Sequence, residues 1–89
     1  METTAAWKAL FEQWPDSMER QGMVVTSLGE AIPFQAFMIS GGLLLLERDK
    51  PDQFGTRKVI LSYDQINAVR LPTTVELARF QAMGFQSTT

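Results

Sequence analysis

The chain has 89 residues, and its eight basic and ten acidic side chains give a formal charge of −2 at pH 7. This length predicts a single domain over residues 1–89, which buries about 60 to 65% of the surface exposed by the unfolded chain. The charge excludes a global electrostatic attraction to nucleic acid or to anionic lipid. The sequence has no cysteine and no histidine, so disulfides, thiolate metal sites and the commonest general base are excluded as well.

The amino-terminal residues 1–7 lack the basic start and apolar core of a signal peptide. The apolar run 43–46 is far too short to cross a bilayer. We therefore expect a soluble, cytoplasmic protein without a membrane partner.

A first helix is predicted over residues 4–14. Its large apolar residues fall at the i, i+3, i+4, i+7 spacing of one helix face, and they are Trp7, Leu10, Phe11 and Trp14. Pro15 ends it. This stripe is either a partner-binding surface or the face that covers the open end of a barrel, and we favour the covering role.

A mainly β fold is predicted for residues 23–71, where turn-forming residues separate short apolar runs. The predicted strands are 23–28, 32–39, 43–48, 56–62 and 66–71. Five strands of this length are too few for two independent sheets, so we expect one strongly bent, five-stranded antiparallel sheet closed as a small barrel. Pro33 denies the ladder one N–H and places its strand at an edge or a bulge.

A second helix is predicted over residues 74–83. Thr73 and Glu76 have the spacing of a capping box at its start. Gly84 ends it, and a left-handed Gly84 would bring Phe80 and Phe85 together in a Schellman ending. Residues 86–89 form a tail.

No catalytic, cofactor or metal site is predicted. The carboxylates Asp49 and Asp52 flank Pro51 in a loop, a pattern more typical of turn formers than of a metal site. Neither a phosphate-binding glycine loop nor a hydrolase or metalloprotease motif occurs. We therefore expect a protein that is not an enzyme.

Two aromatic residues near strand ends are candidates for binding. Tyr63, the single tyrosine, either stacks on a base or packs half-buried beside its strand with its hydroxyl in water, and packing is the simpler interpretation. Phe54, in the loop before the fourth strand, either anchors a protein partner or folds back over the mouth of the barrel.

The segment IPFQAFMISGGLLLLER, residues 32–48, resembles the Sm-like family, which includes the bacterial Hfq proteins. The likeness is one of layout and covers residues 5–71: a leading helix, a hairpin, an apolar third strand, and a fourth and fifth strand joined by a very short link. It implies an Sm-like barrel in which the fourth strand of one subunit pairs with the fifth strand of the next. The resulting homo-oligomeric ring would bind single-stranded RNA.

The resemblance also implies where the RNA would lie. The binding segments correspond to the turn 40–42 and the link 62–65, so the candidate RNA-binding residues are Ser40, Gly41, Tyr63 and Gln65. Asp64 adds a negative charge to the same link, which is unfavourable beside a phosphate. The alternative is a protein-interaction or assembly module of PH-like or PRC-barrel type, which would contact its partner through Phe54 and the second helix.

Overall fold

The computed structural model describes residues 3–72 and 75–88 of the chain. In these two ranges, an α-helix precedes six β-strands and a 3₁₀ helix follows them. The elements are α1 (Thr3–Glu12), β1 (Gly22–Thr26), β2 (Ala31–Phe34), β3 (Ala36–Ser40), β4 (Leu43–Glu47), β5 (Lys58–Ser62), a 3₁₀ turn (Tyr63–Gln65), β6 (Ile66–Arg70) and a C-terminal 3₁₀ helix (Leu77–Met83).

The strands form two antiparallel sheets of three strands each. In one sheet β1 lies between β2 and β6, and in the other β4 lies between β3 and β5. No ladder joins β5 to β6 within the described residues, so the predicted five-stranded closed barrel is wrong. The prediction assumed five strands, which are too few for two sheets, whereas the chain forms six strands in these ranges.

The additional strand arises at Gln35, which divides the predicted strand 32–39. There the chain bends out of the first sheet as β2 ends and enters the second sheet as β3. The Gln35 N–H donates to the carbonyl oxygen of Glu47 at 2.8 Å, which holds the bend against β4. Pro33 lies in the edge strand β2, as expected of a residue without an N–H.

The hydrophobic core has an aromatic cluster that joins α1 to the bend between the sheets. The Phe11 ring lies edge-on to the Phe37 ring at a centroid distance of 5.0 Å, and Trp14 lies 5.1 Å from the same ring. Phe34, on the other side of the bend, contacts Phe37 at 6.0 Å. Such pairs each add about 0.5–1.5 kcal/mol beyond their buried area, so this cluster fixes the helix relative to both sheets.

The predicted apolar stripe packs on the protein's own core, although it covers two sheets and not the open end of a barrel. Phe11 and Trp14 are buried, and Trp7 and Leu10 are half-buried against them. The helix ends at Glu12, two residues earlier than predicted. The Trp14 N–H bonds to the carbonyl of Phe11 rather than continuing the α-helical pattern. No helix in the described ranges is long and apolar enough to cross a membrane.

The C-terminal segment is a 3₁₀ helix over Leu77–Met83 and not the predicted α-helix over 74–83. A 3₁₀ helix closes its hydrogen bonds from residue i to i+3, and runs longer than three or four residues are uncommon, so nothing in the local sequence predicted this form. The predicted ending is confirmed: Gly84 has a φ of 97°, and the Phe85 N–H donates to the Phe80 carbonyl at 3.2 Å. Thr73, and with it the predicted capping box, lies outside the described residues.

Candidate interaction surface

The two segments predicted to bind RNA lie next to each other. The Tyr63 N–H is 3.4 Å from the carbonyl oxygen of Gly42. This contact joins the turn between β3 and β4 to the turn between β5 and β6. Ser40, Gly41 and Gln65 are all exposed at this end of the molecule. Three of the four candidate residues therefore share one accessible rim.

The fourth candidate, Tyr63, is a core residue. Its side chain is 1% exposed and its ring centroid lies 6.2 Å from that of Phe11. The hydroxyl is buried and has no hydrogen-bond partner among the described residues. Burial raises the pKa of Tyr63, and the negative charge of Glu12 acts in the same direction. In this conformation the ring cannot stack on a base. It packs in the core, as the simpler interpretation expected, but its hydroxyl is buried and not in water.

The polar groups around Gln65 are engaged with one another. Its side-chain oxygen accepts from the Ser27 hydroxyl at 3.4 Å, and its amide lies 3.5 Å from a carboxylate oxygen of Asp64. The same carboxylate oxygen accepts from the Ser62 hydroxyl. This rim offers acceptor atoms and a negative charge, so it favours a ligand that donates hydrogen bonds.

Phe54 stands at the tip of a tightly held turn and is 81% exposed. One carboxylate oxygen of Asp52 accepts from the N–H groups of Phe54 at 2.8 Å and of Thr56 at 2.9 Å. Gly55 completes the turn with a φ of 82°. These backbone hydrogen bonds hold the pKa of Asp52 below its usual range. Asp52 is therefore a turn former, and Phe54 points away from the core rather than folding back over it.

Within the ranges that the structure describes, no group of three or more acidic side chains is placed to hold a metal ion.

The outer edge of β5 carries backbone groups that point away from β4. At one end of the β4–β5 ladder the Arg48 N–H donates to the Arg57 carbonyl at 2.6 Å, and at the other end the Tyr63 N–H donates to Gly42. In an antiparallel ladder, residues bonded to the neighbour alternate with residues whose N–H and C=O face the opposite side. The residues that face outward are Lys58, Ile60 and Ser62.

Both β5 and β6 are edge strands whose inner faces are incompletely covered. Val59 and Leu61 of β5 are half-buried on the core side, two positions apart. Val69 at the end of β6 and Leu71 just beyond it show the same spacing and the same partial burial. Each edge therefore ends in a pair of aliphatic side chains that the fold leaves partly open to solvent.

An apolar groove of about 860 Å³ lies beside the end of β6, under the C-terminal 3₁₀ helix. Leu77 and Phe85 on its wall are 86% and 56% exposed. The sequence did not predict this groove, because it depends on how residues 77–88 lie against β6. Its lining comprises Val69, Leu71, Leu77, Ala78, Phe80, Gln81, Phe85, Gln86, Ser87 and Thr88.

The outer face of the second sheet has an apolar row that the sequence also did not predict. Met38, Leu45 and Ile60 are register partners across β3, β4 and β5, and both outer members are exposed. An apolar run such as 43–46 is typical of a strand buried on both faces, but here Leu44 and Leu46 are buried, whereas Leu43 is exposed and Leu45 half-buried.

Comparisons with protein-family models, with curated proteins and with solved structures give no match to this chain. The features of the molecule that bear on its function are therefore the unpaired strand edges, the groove and the exposed Phe54.

Proposed function

We propose that this chain is a non-catalytic assembly module in which β5 of one copy pairs with β6 of the next. The observation that carries the proposal is the match between the two edges. Each edge has no strand partner among the described residues, and each has two half-buried aliphatic side chains at alternate positions. Unpaired sheet edges are templates for pairing with another chain.

The side-chain pattern favours this pairing over exposure to water. Successive residues of a strand point to opposite faces, so joining the two edges with matched faces sets Val59 and Leu61 beside Val69 and Leu71 of the neighbour. The outward backbone groups of Ile60 would gain hydrogen bonds, each worth about 0.5–1.5 kcal/mol net. For so small a chain, association is one of few ways to bury more apolar surface.

Pairing of two different edges is a head-to-tail contact, and such contacts form rings when the rotation between copies closes. The Sm-like layout of the sequence supports a ring, since that family joins the equivalent strands. We therefore expect one defined oligomer mass and not continuous growth with concentration.

The test is the solution mass of variants at Ile60, measured by light scattering over a dilution series. Ile60→Pro removes an N–H that faces the free edge and leaves the bonds to β4 in place. We expect this variant to have the mass of a monomer in light scattering and to be folded as judged by circular dichroism. Ile60→Thr keeps the N–H and is the matched control, so it should still assemble. A wild-type protein with the mass of one chain at every concentration would overturn the proposal.

A second candidate function, binding of single-stranded RNA, has one observation in its favour: the turn 40–42 and the residues 63–65 form a common rim. The buried ring of Tyr63 and the charge of Asp64 count against it. Titration of labelled oligouridine at low salt tests it by fluorescence anisotropy. Binding that Gln65→Ala weakens would support this function, and an unchanged anisotropy would reject it.

A further inference from the structure

We infer that Phe54 of one copy inserts into the apolar groove beside β6 of the neighbouring copy. This inference rests on the proposed pairing of β5 with β6 and assigns the side chain that anchors it. The occupant of the groove is thus a second copy of this chain, which contributes an aromatic residue to a pocket that is incomplete without it.

The direction of the strands brings the two features together. The four ladders in this structure are antiparallel, and antiparallel pairing is also slightly the more stable kind. In an antiparallel pair, the residues that precede one strand lie beside the residues that follow the other. The segment before β5 carries Phe54, and the segment after β6 forms the groove.

Phe54 is close enough to β5 in the sequence to reach the groove of the neighbouring copy. Phe54 precedes the first residue of β5 by four positions, which corresponds to at most about 13 Å along the strand direction. The groove begins at Val69, near the end of β6, and extends past Leu71 to the C-terminal 3₁₀ helix. Phe54 therefore lies at the correct end of the paired strands to contact it.

The chemistry of the two surfaces is complementary. Phe54, Leu77 and Phe85 are all large apolar side chains exposed in the single copy. Phe54 cannot fill the groove of its own chain in this conformation, since most of its surface faces solvent. Insertion into a neighbour would remove apolar surface from water on both sides, which is the main favourable contribution to association.

Phe54 is also pre-organised for binding. Its turn is held by two hydrogen bonds to Asp52 and one from the Gly55 N–H to the Asp52 carbonyl at 3.0 Å. An aromatic anchor on a fixed turn loses little conformational entropy when it binds. Aromatic residues in well-packed pockets are typical of the few contacts that dominate interface energies.

The experiment compares two variants, each with one half of the contact damaged. Phe54→Ala keeps the groove, and Leu77→Asp keeps Phe54 but places a charge in the groove. Each should self-associate ten- to a hundredfold more weakly than the wild type in sedimentation equilibrium. Phe54→Leu, which retains an apolar anchor, and Leu28→Asp, at a similarly exposed leucine outside the groove, are the matched controls and should assemble normally.

Mixing the two damaged variants provides the decisive measurement. The intact groove of Phe54→Ala can accept the intact Phe54 of Leu77→Asp, so the mixture should form heterodimers with the wild-type dissociation constant for one junction. A mixture that associates no better than its components would overturn the inference, and so would unchanged self-association of Phe54→Ala. If Ile60→Pro abolishes assembly while Phe54→Ala does not, the pairing of β5 with β6 is supported and the insertion of Phe54 into the groove is rejected. A wild-type protein that stays monomeric would reject both the strand pairing and the Phe54 contact.

Discussion

The ring of Tyr63 lies 6.2 Å from the ring of Phe11, centroid to centroid. This contact packs the 3₁₀ turn that connects β5 and β6 against α1. A residue in the short connection between β5 and β6 is therefore part of the core. The Tyr63–Phe11 contact positions the β5 and β6 edges on either side of the turn. A loss of core stability should therefore weaken any assembly through those edges.

Replacing Tyr63 with Phe should leave the protein as stable as before or raise its free energy of unfolding by up to about 1 kcal/mol. The buried hydroxyl has no partner among the described residues, and an unsatisfied buried polar group is costly. Tyr63→Ala, the control that removes the ring, should cost about 3–5 kcal/mol. Urea unfolding measures both, and a large loss in Tyr63→Phe would show that the hydroxyl is hydrogen-bonded in solution.

The stability of the protein should fall as the pH rises above about 10, the usual pKa of tyrosine. Burial and Glu12 raise the pKa of Tyr63 in the folded state, so the unfolded chain loses this proton first. The contribution is fully present below the unfolded pKa and is lost as the pH passes through the folded value. Tyr63→Phe should remove this part of the slope. Equal slopes for both proteins in urea unfolding at alkaline pH would contradict the prediction.

Replacing Asp52 with Ala should loosen the turn that presents Phe54 without unfolding the domain. The variant loses the acceptor for the N–H groups of Phe54 and Thr56. Amide hydrogen exchange, followed by NMR, should become faster at these two residues. Because the pKa of Asp52 is lowered in the folded state, the wild-type carboxylate should keep these hydrogen bonds as the pH falls through its usual pKa and lose them only below the lower folded value. Unchanged exchange in Asp52→Ala would contradict this role.

Two glycine substitutions should differ sharply in their effect on stability. A Cβ at Gly22 would lie 2.6 Å from the carbonyl oxygen of Arg70, across the β1–β6 ladder. Gly22→Ala should therefore cost about 1–3 kcal/mol. A Cβ at Gly42 meets nothing within 4 Å, so Gly42→Ala should stay within about 0.5 kcal/mol of the wild type. Thermal unfolding compares the two, and equal midpoints would argue against the close approach at Gly22.

Local patterns predicted the parts of this fold that depend on near neighbours in the sequence. The spacing of Trp7, Leu10, Phe11 and Trp14 predicted α1 and its buried face, which the structure confirms. Gly84 predicted the left-handed ending and the contact of its flanking phenylalanines. In each case a few adjacent residues contain the whole physical reason.

The features that depend on distant contacts were not predictable in the same way. Pro33 predicted an edge or a bulge in this strand, but nothing in the sequence indicated that the strand divides at Gln35, where the bend depends on the hydrogen bond to Glu47. Tyr63 was a candidate for stacking on RNA because its connection is short, yet the covering helix buries it. Phe54 was recognisable as a candidate anchor, but the groove that fits it arises only when the chain is folded.

The pairing of β1 with β6 has a consequence for how the chain folds as it is made. Met23 has a near partner at Pro33 in β2, but its partner on the other side of β1 is the distant Arg70 in β6, and α1 packs on the turn that begins at Tyr63. Contacts between such distant parts of a chain slow folding, because the intervening loop must be ordered first. A nascent chain released before β6 would leave β1, the central strand of one sheet, paired on one side only. Such an intermediate exposes an unpaired strand edge, which favours aggregation. The pairing of β6 with β1 is therefore the step that covers this edge.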